Sequence, residues 1–195
     1  VDDLLDVSRL SLGKIRLVFE SVDLGEVVAQ AVETVRPLVE QSGHRLEVVV
    51  PQEPLVVSGD RARLIQMLTN LLNNAAKYTP EGGDIWIEVR GEGNKALVAV
   101  RDNGVGITPQ VLERVFDLFA QGERTLDRSE GGMGIGLTLA RRIVTLHGGD
   151  IEARSGGAGR GAEFVVTLPR LRAEVVVPAP PPDVGLAFGG RRRSI

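Results

Sequence analysis

The chain has 195 residues, and 23 Lys+Arg against 26 Asp+Glu leave a formal net charge of −3 with both histidines neutral. That length and a 43% hydrophobic share suit one ordinary globular domain with appendages and exclude wholesale disorder. The lack of cysteine excludes disulfides and thiolate metal sites, the mild negative charge argues against a domain built to grip nucleic acid, and apolar runs such as Val48 to Val50 or Val175 to Val177 fall far short of a membrane span.

Residues 1 to 12 set Leu4, Leu5, Ser8 and Leu12 at roughly helical spacing and stop at Gly13, as a helix arriving from upstream would. Ile15, Leu17 and Phe19 then alternate with Lys14, Arg16, Val18 and Glu20, which predicts a short strand. Asp23 and Glu26 offer a capping-box-like start to a helix carrying Val27, Val28, Ala31, Val32, Val35, Leu38 and Val39 on one side and ended by Gly43. Segments 45 to 50 and 55 to 57 read as strands around the breakers Pro51 and Pro54. Asp60 is the expected cap of a second helix running to about Tyr78. Residues 84 to 90 and 95 to 102 predict a hairpin across the turn from Gly91 to Asn94.

Thr108-Pro109 opens a further helix, residues 120 to 134 read as a long glycine-containing loop, and Ile135 to His147 returns to helix until Gly148-Gly149. A last hairpin is expected from 150 to 155 and 163 to 168 across the glycine-rich turn 156 to 161. After Pro169 the composition shifts to Pro and Ala and finishes at Arg191 to Arg193, as an extended linker does. Helices and hairpins in this order predict an α+β fold, with helices layered on one face of a mixed sheet.

Three segments carry chemistry. On the helix ending at Tyr78, Asn70, Asn74 and Lys77 stand at i, i+4 and i+7 and share one face. Two carboxamides and an ammonium there can serve a magnesium-bound polyphosphate, or form an ordinary solvated face. Asp102-Asn103-Gly104-Val105-Gly106-Ile107 follows a strand, so its carboxylate can accept from an exocyclic amine while its glycines admit a flat ring, unless it is a plain turn. Gly131-Gly132-Met133-Gly134-Ile135-Gly136 precedes a helix whose N-terminus can face phosphates. It is neither a Walker A loop nor a Rossmann fingerprint, and a flexible connector has the same composition. The polar stretch Glu123 to Glu130 ahead of it would suit a lid.

In this order the asparagine helix, the aspartate-glycine segment, Phe116 with Phe119, and the glycine loop resemble the N, G1, F and G2 boxes of sensor histidine kinases, within the GHKL ATPase superfamily. The resemblance covers residues 23 to 169 and implies a two-layer α/β sandwich of Bergerat type with ATP bound between helices and lid. It implies Asn74 as the Mg²⁺ ligand supported by Asn70, Lys77 reaching phosphate, Tyr78 lying against the base, Ile107 among the nucleotide-binding residues, and Asp102 reading the adenine amine. Gly104 and Gly106 would let the base approach, Gly132, Gly134, Gly136 and Leu137 would form the hinge and phosphate end of the lid, and Phe119 with Phe116 would anchor it. As aromatics at i and i+3 the two phenylalanines suit a plain core equally.

Two departures stand out. Ala162 replaces the Thr or Ser that many members carry beside the aspartate, and Gln121 stands where some kinases have an Arg for the γ-phosphate, a role open to Arg124 or Arg128. Asn70 replaces the glutamate of the hydrolysing relatives, and an amide cannot act as a general base, so the resemblance implies phosphoryl transfer to a partner histidine. A nucleotide-binding switch module without kinase activity is the alternative. His44 and His147 both lack the helical acidic setting of a phosphoacceptor, and His147 at a helix end reads as structural.

Residues 1 to 22 resemble the end of the dimerisation and phosphoacceptor hairpin, so the acceptor histidine is expected upstream. Residues 170 to 195 read as a Pro/Arg-rich linker, and within it 191 to 195 resemble the run-in to the first strand of a receiver domain, as in a hybrid kinase; the alternative for the arginine run is a basic patch that binds anionic lipid or nucleic acid. The implied partners are ATP/ADP, a phosphoacceptor histidine domain and a response regulator or receiver domain. A cytoplasmic place is expected, with no nucleic acid or membrane contact by this portion.

Overall fold

The computed structural model describes residues 17–117 and 135–171. The expected helix over residues 1 to 12, the loop 120 to 134 and the linker beyond 171 lie outside them.

Strand β1 (Glu20–Asp23) leads into helix α1 (Leu24–Gln41), strands β2 (Arg45–Val49) and β3 (Val56–Gly59), and helix α2 (Arg61–Tyr78). Strands β4 (Asp84–Glu92) and β5 (Lys95–Asp102) follow, then the short helix α3 (Pro109–Leu112), helix α4 (Gly136–Leu146) and strands β6 (Asp150–Arg154) and β7 (Ala162–Pro169). Five strands form one mixed sheet in the order β2-β4-β5-β7-β6, with β2 parallel to β4 and the other pairs antiparallel, while β1 and β3 form a separate antiparallel pair. This is the α+β layering expected.

The period-2 pattern of the strands decides which face is covered. Ile85, Ile87 and Val89 of β4, Val98 and Val100 of β5, and Phe164, Val166 and Leu168 of β7 join one core with Leu64, Leu68, Leu71 and Leu72 of α2 and Leu139 and Ile143 of α4. Leu97, Ala99 and Val165 form a small second cluster. Register puts them on the opposite face, where Arg101 stacks on Trp86 at 4.3 Å.

Both expected caps form. Asp23 accepts from Gly25 N at 2.9 Å, and Asp60 accepts from Arg63 N at 3.1 Å. Glu26, however, pairs with Arg61 at 2.6 Å and thereby ties α1 to α2. Helices α1 and α4 end alike in glycine-based Schellman turns. Gly43 and His44 donate to the carbonyls of Glu40 and Val39, and Gly148 and Gly149 to those of Thr145 and Val144, with Gly43 and Gly148 at φ of +62° and +70°.

The first strand differs from expectation. Among the described residues it begins only at Glu20, leaving Leu17 to Phe19 ahead of it, and Phe19 is 52% exposed. The partner strand fixes this limit: Glu20 pairs with Gly59, and the next residue, Asp60, already caps α2 and takes Val18 N on its Oδ2 at 3.1 Å. The β4–β5 hairpin is longer than predicted, running through Gly91 and Glu92 to a two-residue Gly93-Asn94 turn with Gly93 at φ +60°. Leu38, expected on the apolar side of α1, is exposed. Residues 20 and 171 both belong to the folded unit, since Leu171 N donates to Val56 O at 2.8 Å.

Candidate functional site

Helix α2 turns its leucines into the core and leaves Asn70, Asn74 and Lys77 half-buried along one side, with Tyr78 exposed at its end. The Asn70 amide donates to the Gly136 carbonyl at 3.3 Å and so links α2 to the first residue of α4. Asn74 has no hydrogen-bond partner among the described residues, and the Lys77 ammonium lies 5.4 Å from the Tyr78 ring centroid. An unengaged carboxamide oxygen one turn from Asn70, with an ammonium beyond it, is a hard-oxygen donor set that fits Mg²⁺ carried on phosphates. No group of three acidic, histidine or cysteine side chains that could hold a metal occurs among the described residues.

Asp102 ends β5, just ahead of the loop that bonds to the end of α2. It is 6% exposed, and its Oδ1 accepts from Gly104 N at 2.9 Å and Ala162 N at 3.2 Å. Burial pushes its carboxyl above the usual carboxylate range, and the two N–H bonds offset part of that rise. No described residue donates to Oδ2, which leaves that oxygen as an acceptor for a ligand amine. Asn103 is structural, bonding through Oδ1 to Asp84 N and through Nδ2 to Asp84 Oδ2, each at 2.9 Å.

The glycines next to it have a backbone reason. A Cβ on Gly104 would run into the Tyr78 carbonyl, and one on Gly106, at φ +71°, into the Gly157 carbonyl. Val105 N donates to Tyr78 O at 3.0 Å, which bonds the start of this loop to the end of α2. Ile107 is half-buried against the core and its N–H donates to Ser155 Oγ at 2.9 Å. Ser155 is a site residue that the sequence does not single out. A serine opening a glycine-rich turn signals a local cap, but its bond to a residue 48 positions away leaves no local trace.

At the start of α4, Leu137 packs against the core and Thr138 Oγ1 donates to Phe116 O at 2.9 Å. Phe116 meets Phe164 edge to face at 6.2 Å and carries the Arg141 guanidinium 5.5 Å from its centroid. It is thus a packing residue bound to α4. Phe119, Gln121, Arg124, Arg128, Gly132 and Gly134 lie outside the described residues. His44 and His147 are both buried and bonded to carbonyls, of Ala76 at 2.9 Å and Ile143 at 2.7 Å.

The model of the histidine kinase-, DNA gyrase B-, and HSP90-like ATPase family matches residues 59–172. The chain is 38% identical over 173 residues to the non-motile and phage-resistance protein of Caulobacter vibrioides, covering 87% of this chain and 20% of that protein. It is 37% identical over 169 residues to the alginate biosynthesis sensor protein KinB of Pseudomonas aeruginosa, with 87% and 28% covered. The chain therefore spans less than a third of these relatives' length. Among solved structures it resembles the mycobacterial sensor histidine kinase MprB, with TM-score 0.68 and 32% identity over 80% of this chain and 100% of that one. Full-length ShkA in complex with AMPPNP gives TM-score 0.75 and 29% identity over 88% of this chain and 35% of that one.

Proposed function

The chain belongs to the histidine kinase-, DNA gyrase B-, and HSP90-like ATPase family as the ATP-binding domain of a sensor histidine kinase, and from that membership we propose that it binds Mg-ATP and passes the γ-phosphoryl group to a histidine on a separate phosphoacceptor domain. The observation that carries the nucleotide reading is Asp102, a buried carboxylate with one oxygen taken by two backbone N–H groups and the other without a donor among the described residues. Oδ2 accepts the adenine amine, with Tyr78 and Ile107 flanking the base and the Gly104 to Gly106 backbone forming its floor.

Asn74, seconded by Asn70, holds the metal, and Lys77 binds phosphate. Gly136 and Leu137 begin the phosphate end of the lid, which Gly132, Gly134 and Phe119 complete. Magnesium supplies charge neutralisation on the phosphates when bound. The residues themselves orient the nucleotide and exclude a general base from the Asn70 position, so an attacking water is not activated there. Among the described residues no helix is long and apolar enough to cross a membrane. A cytoplasmic place and partnership with a response regulator or receiver domain follow from the kinase reading.

Calorimetric titration with a non-hydrolysable ATP analogue, with and without Mg²⁺, tests the first half. Transfer of labelled γ-phosphate to a histidine domain added in trans tests the second. Binding without transfer would leave a nucleotide-dependent switch, and no binding would remove both.

A further inference from the structure

Ser155 sits where β6 leaves the sheet, and its hydroxyl joins both walls of the base site. It accepts from Ile107 N at 2.9 Å and donates to Gly161 O at 2.6 Å, with Gly157 N a longer donor at 3.3 Å. Gly157 O, at 3.4 Å, competes poorly for the single hydroxyl proton. The Gly161 carbonyl and the Ala162 N–H belong to one planar peptide unit. That same N–H donates to Asp102 Oδ1 at 3.2 Å.

A continuous run of hydrogen bonds therefore passes from Ile107 N–H through the Ser155 hydroxyl and the 161–162 peptide to the aspartate. Each bond polarises the next in this low-dielectric setting. The Ser155 hydroxyl is the one side chain in the run between Ile107 and Asp102, and Gly161, at φ +66° against the Asp102 backbone, leaves the peptide no side chain of its own to hold it.

We propose that Ser155 is a positioning residue for base recognition, holding the 161–162 peptide so that Asp102 keeps Oδ1 occupied and Oδ2 directed at a 6-amino purine. The proposal rests on the nucleotide reading and deepens it. Ser155 itself touches no ligand. Removing its hydroxyl leaves the peptide held only by the start of the β7 strand, the longer Ala162 N–H bond to Oδ1 weakens, and the carboxylate is left on the Gly104 N–H as its one firm support.

The test measures affinities of the chain for non-hydrolysable adenosine and inosine triphosphates, which differ at the group Oδ2 reads. Wild type should prefer the adenosine compound. Ser155→Ala should bind it about five- to tenfold more weakly, with the inosine compound changed less than about twofold, and Ser155→Thr, which keeps the hydroxyl, should restore the preference. Where Ser155→Ala is not folded at the working temperature, Ser155→Cys, of similar volume but a weak donor, carries the same expectation. Equal weakening of both nucleotides, or an unchanged preference in folded Ser155→Ala, would overturn the role of Ser155 alone. A wild type that binds the two alike would overturn the adenine contact of Asp102 and this inference with it, whereas a wild type that binds neither would overturn the nucleotide reading itself.

Discussion

The backbone N–H of Asp60 donates to His147 Nε2 at 2.9 Å, so the capping residue of α2 is fixed by the residue that closes α4. The other ring nitrogen faces the Ile143 carbonyl at 2.7 Å, and because an N–H can only donate to Nε2, the proton sits on Nδ1. The neutral ring thus bridges the two helices that carry Asn70, Asn74 and Lys77 on one side and Gly136 on the other. His147→Ala strands the Asp60 N–H, and the expected loss is about 1–3 kcal/mol of stability. Urea unfolding should show a lower midpoint with unchanged slope. An unchanged midpoint would contradict the bridge.

Asp102→Asn separates the two oxygens of the carboxylate. The amide oxygen can still take Gly104 N and Ala162 N, but the amide NH₂ then stands at the Oδ2 position and opposes an exocyclic amine. Adenosine triphosphate analogues should bind roughly 5- to 150-fold more weakly, the equivalent of about 1–3 kcal/mol, while the inosine analogue, with an acceptor at that position, should gain relative to them. Competition titration of the two against the variant checks the inversion.

The same aspartate sets a pH dependence. Burial raises its carboxyl in the folded chain, so the native state binds this proton more tightly than the unfolded state does. Stability from this group is therefore full below the unfolded value, falls as pH rises through the interval up to the raised folded value, and stays low above it. Against Asp102→Asn, which does not titrate, wild type should lose ground across that interval and hold a constant deficit at neutral pH. Paired denaturation curves from the acid range to pH 7 read this; a deficit that shrinks with rising pH would refute it.

Local signals were enough for most of the framework. Asp23, Asp60, Gly43 and Gly148-Gly149 punctuate the helices as side-chain chemistry dictates, and the alternation in Ile85-Trp86-Ile87 and Val98-Ala99-Val100 sorts the faces of the sheet. Over Leu17 to Phe19, the described part of the N-terminal alternation, no strand forms because a strand ends where its partner ends, and Gly59 meeting the cap of α2 is a tertiary fact. Of the candidate site, Asn70, Asn74, Lys77 and Asp102 stand out in the sequence by their spacing and the order of the motifs, and the fold places them on α2 and at the end of β5. Ser155 and the Asp60–His147 pair were not, since their partners lie 48 and 87 positions away.

The glycines of the site should separate by substitution to alanine. Gly104→Ala drives a methyl into the Tyr78 carbonyl, and Gly106→Ala adds a left-handed backbone to a clash with Gly157 O, so each should cost upward of about 2 kcal/mol. Gly136 is different: a Cβ there meets the Asn70 side chain at 3.6 Å, an ordinary contact, and at this first helical residue alanine is favoured by less than the ~1 kcal/mol of a helix interior. Gly136→Ala should leave thermal stability unchanged or raised. Any loss of nucleotide affinity in that variant then reports on the ligand site at the start of α4 and not on folding.

Asn70 and Asn74, one helical turn apart, should respond differently to loss of their amides. Asn70 donates to the Gly136 carbonyl across the α2–α4 junction, and Asn70→Ala removes that tie, lowering stability by about 1 kcal/mol. Asn74 has no protein partner among the described residues, so Asn74→Ala removes a poor helix former from a half-buried position and should leave stability unchanged or slightly raised. Its cost appears only with ligand. Wild type should bind a triphosphate analogue more tightly when Mg²⁺ is added, and Asn74→Ala should lose most of that enhancement while keeping its metal-free affinity within about twofold, since the proposed function gives the amide oxygen to the cation and not to the base. Titrations of both variants with and without Mg²⁺, beside their melting curves, separate the two roles. A metal enhancement that survives Asn74→Ala intact would move the metal ligand elsewhere on the chain.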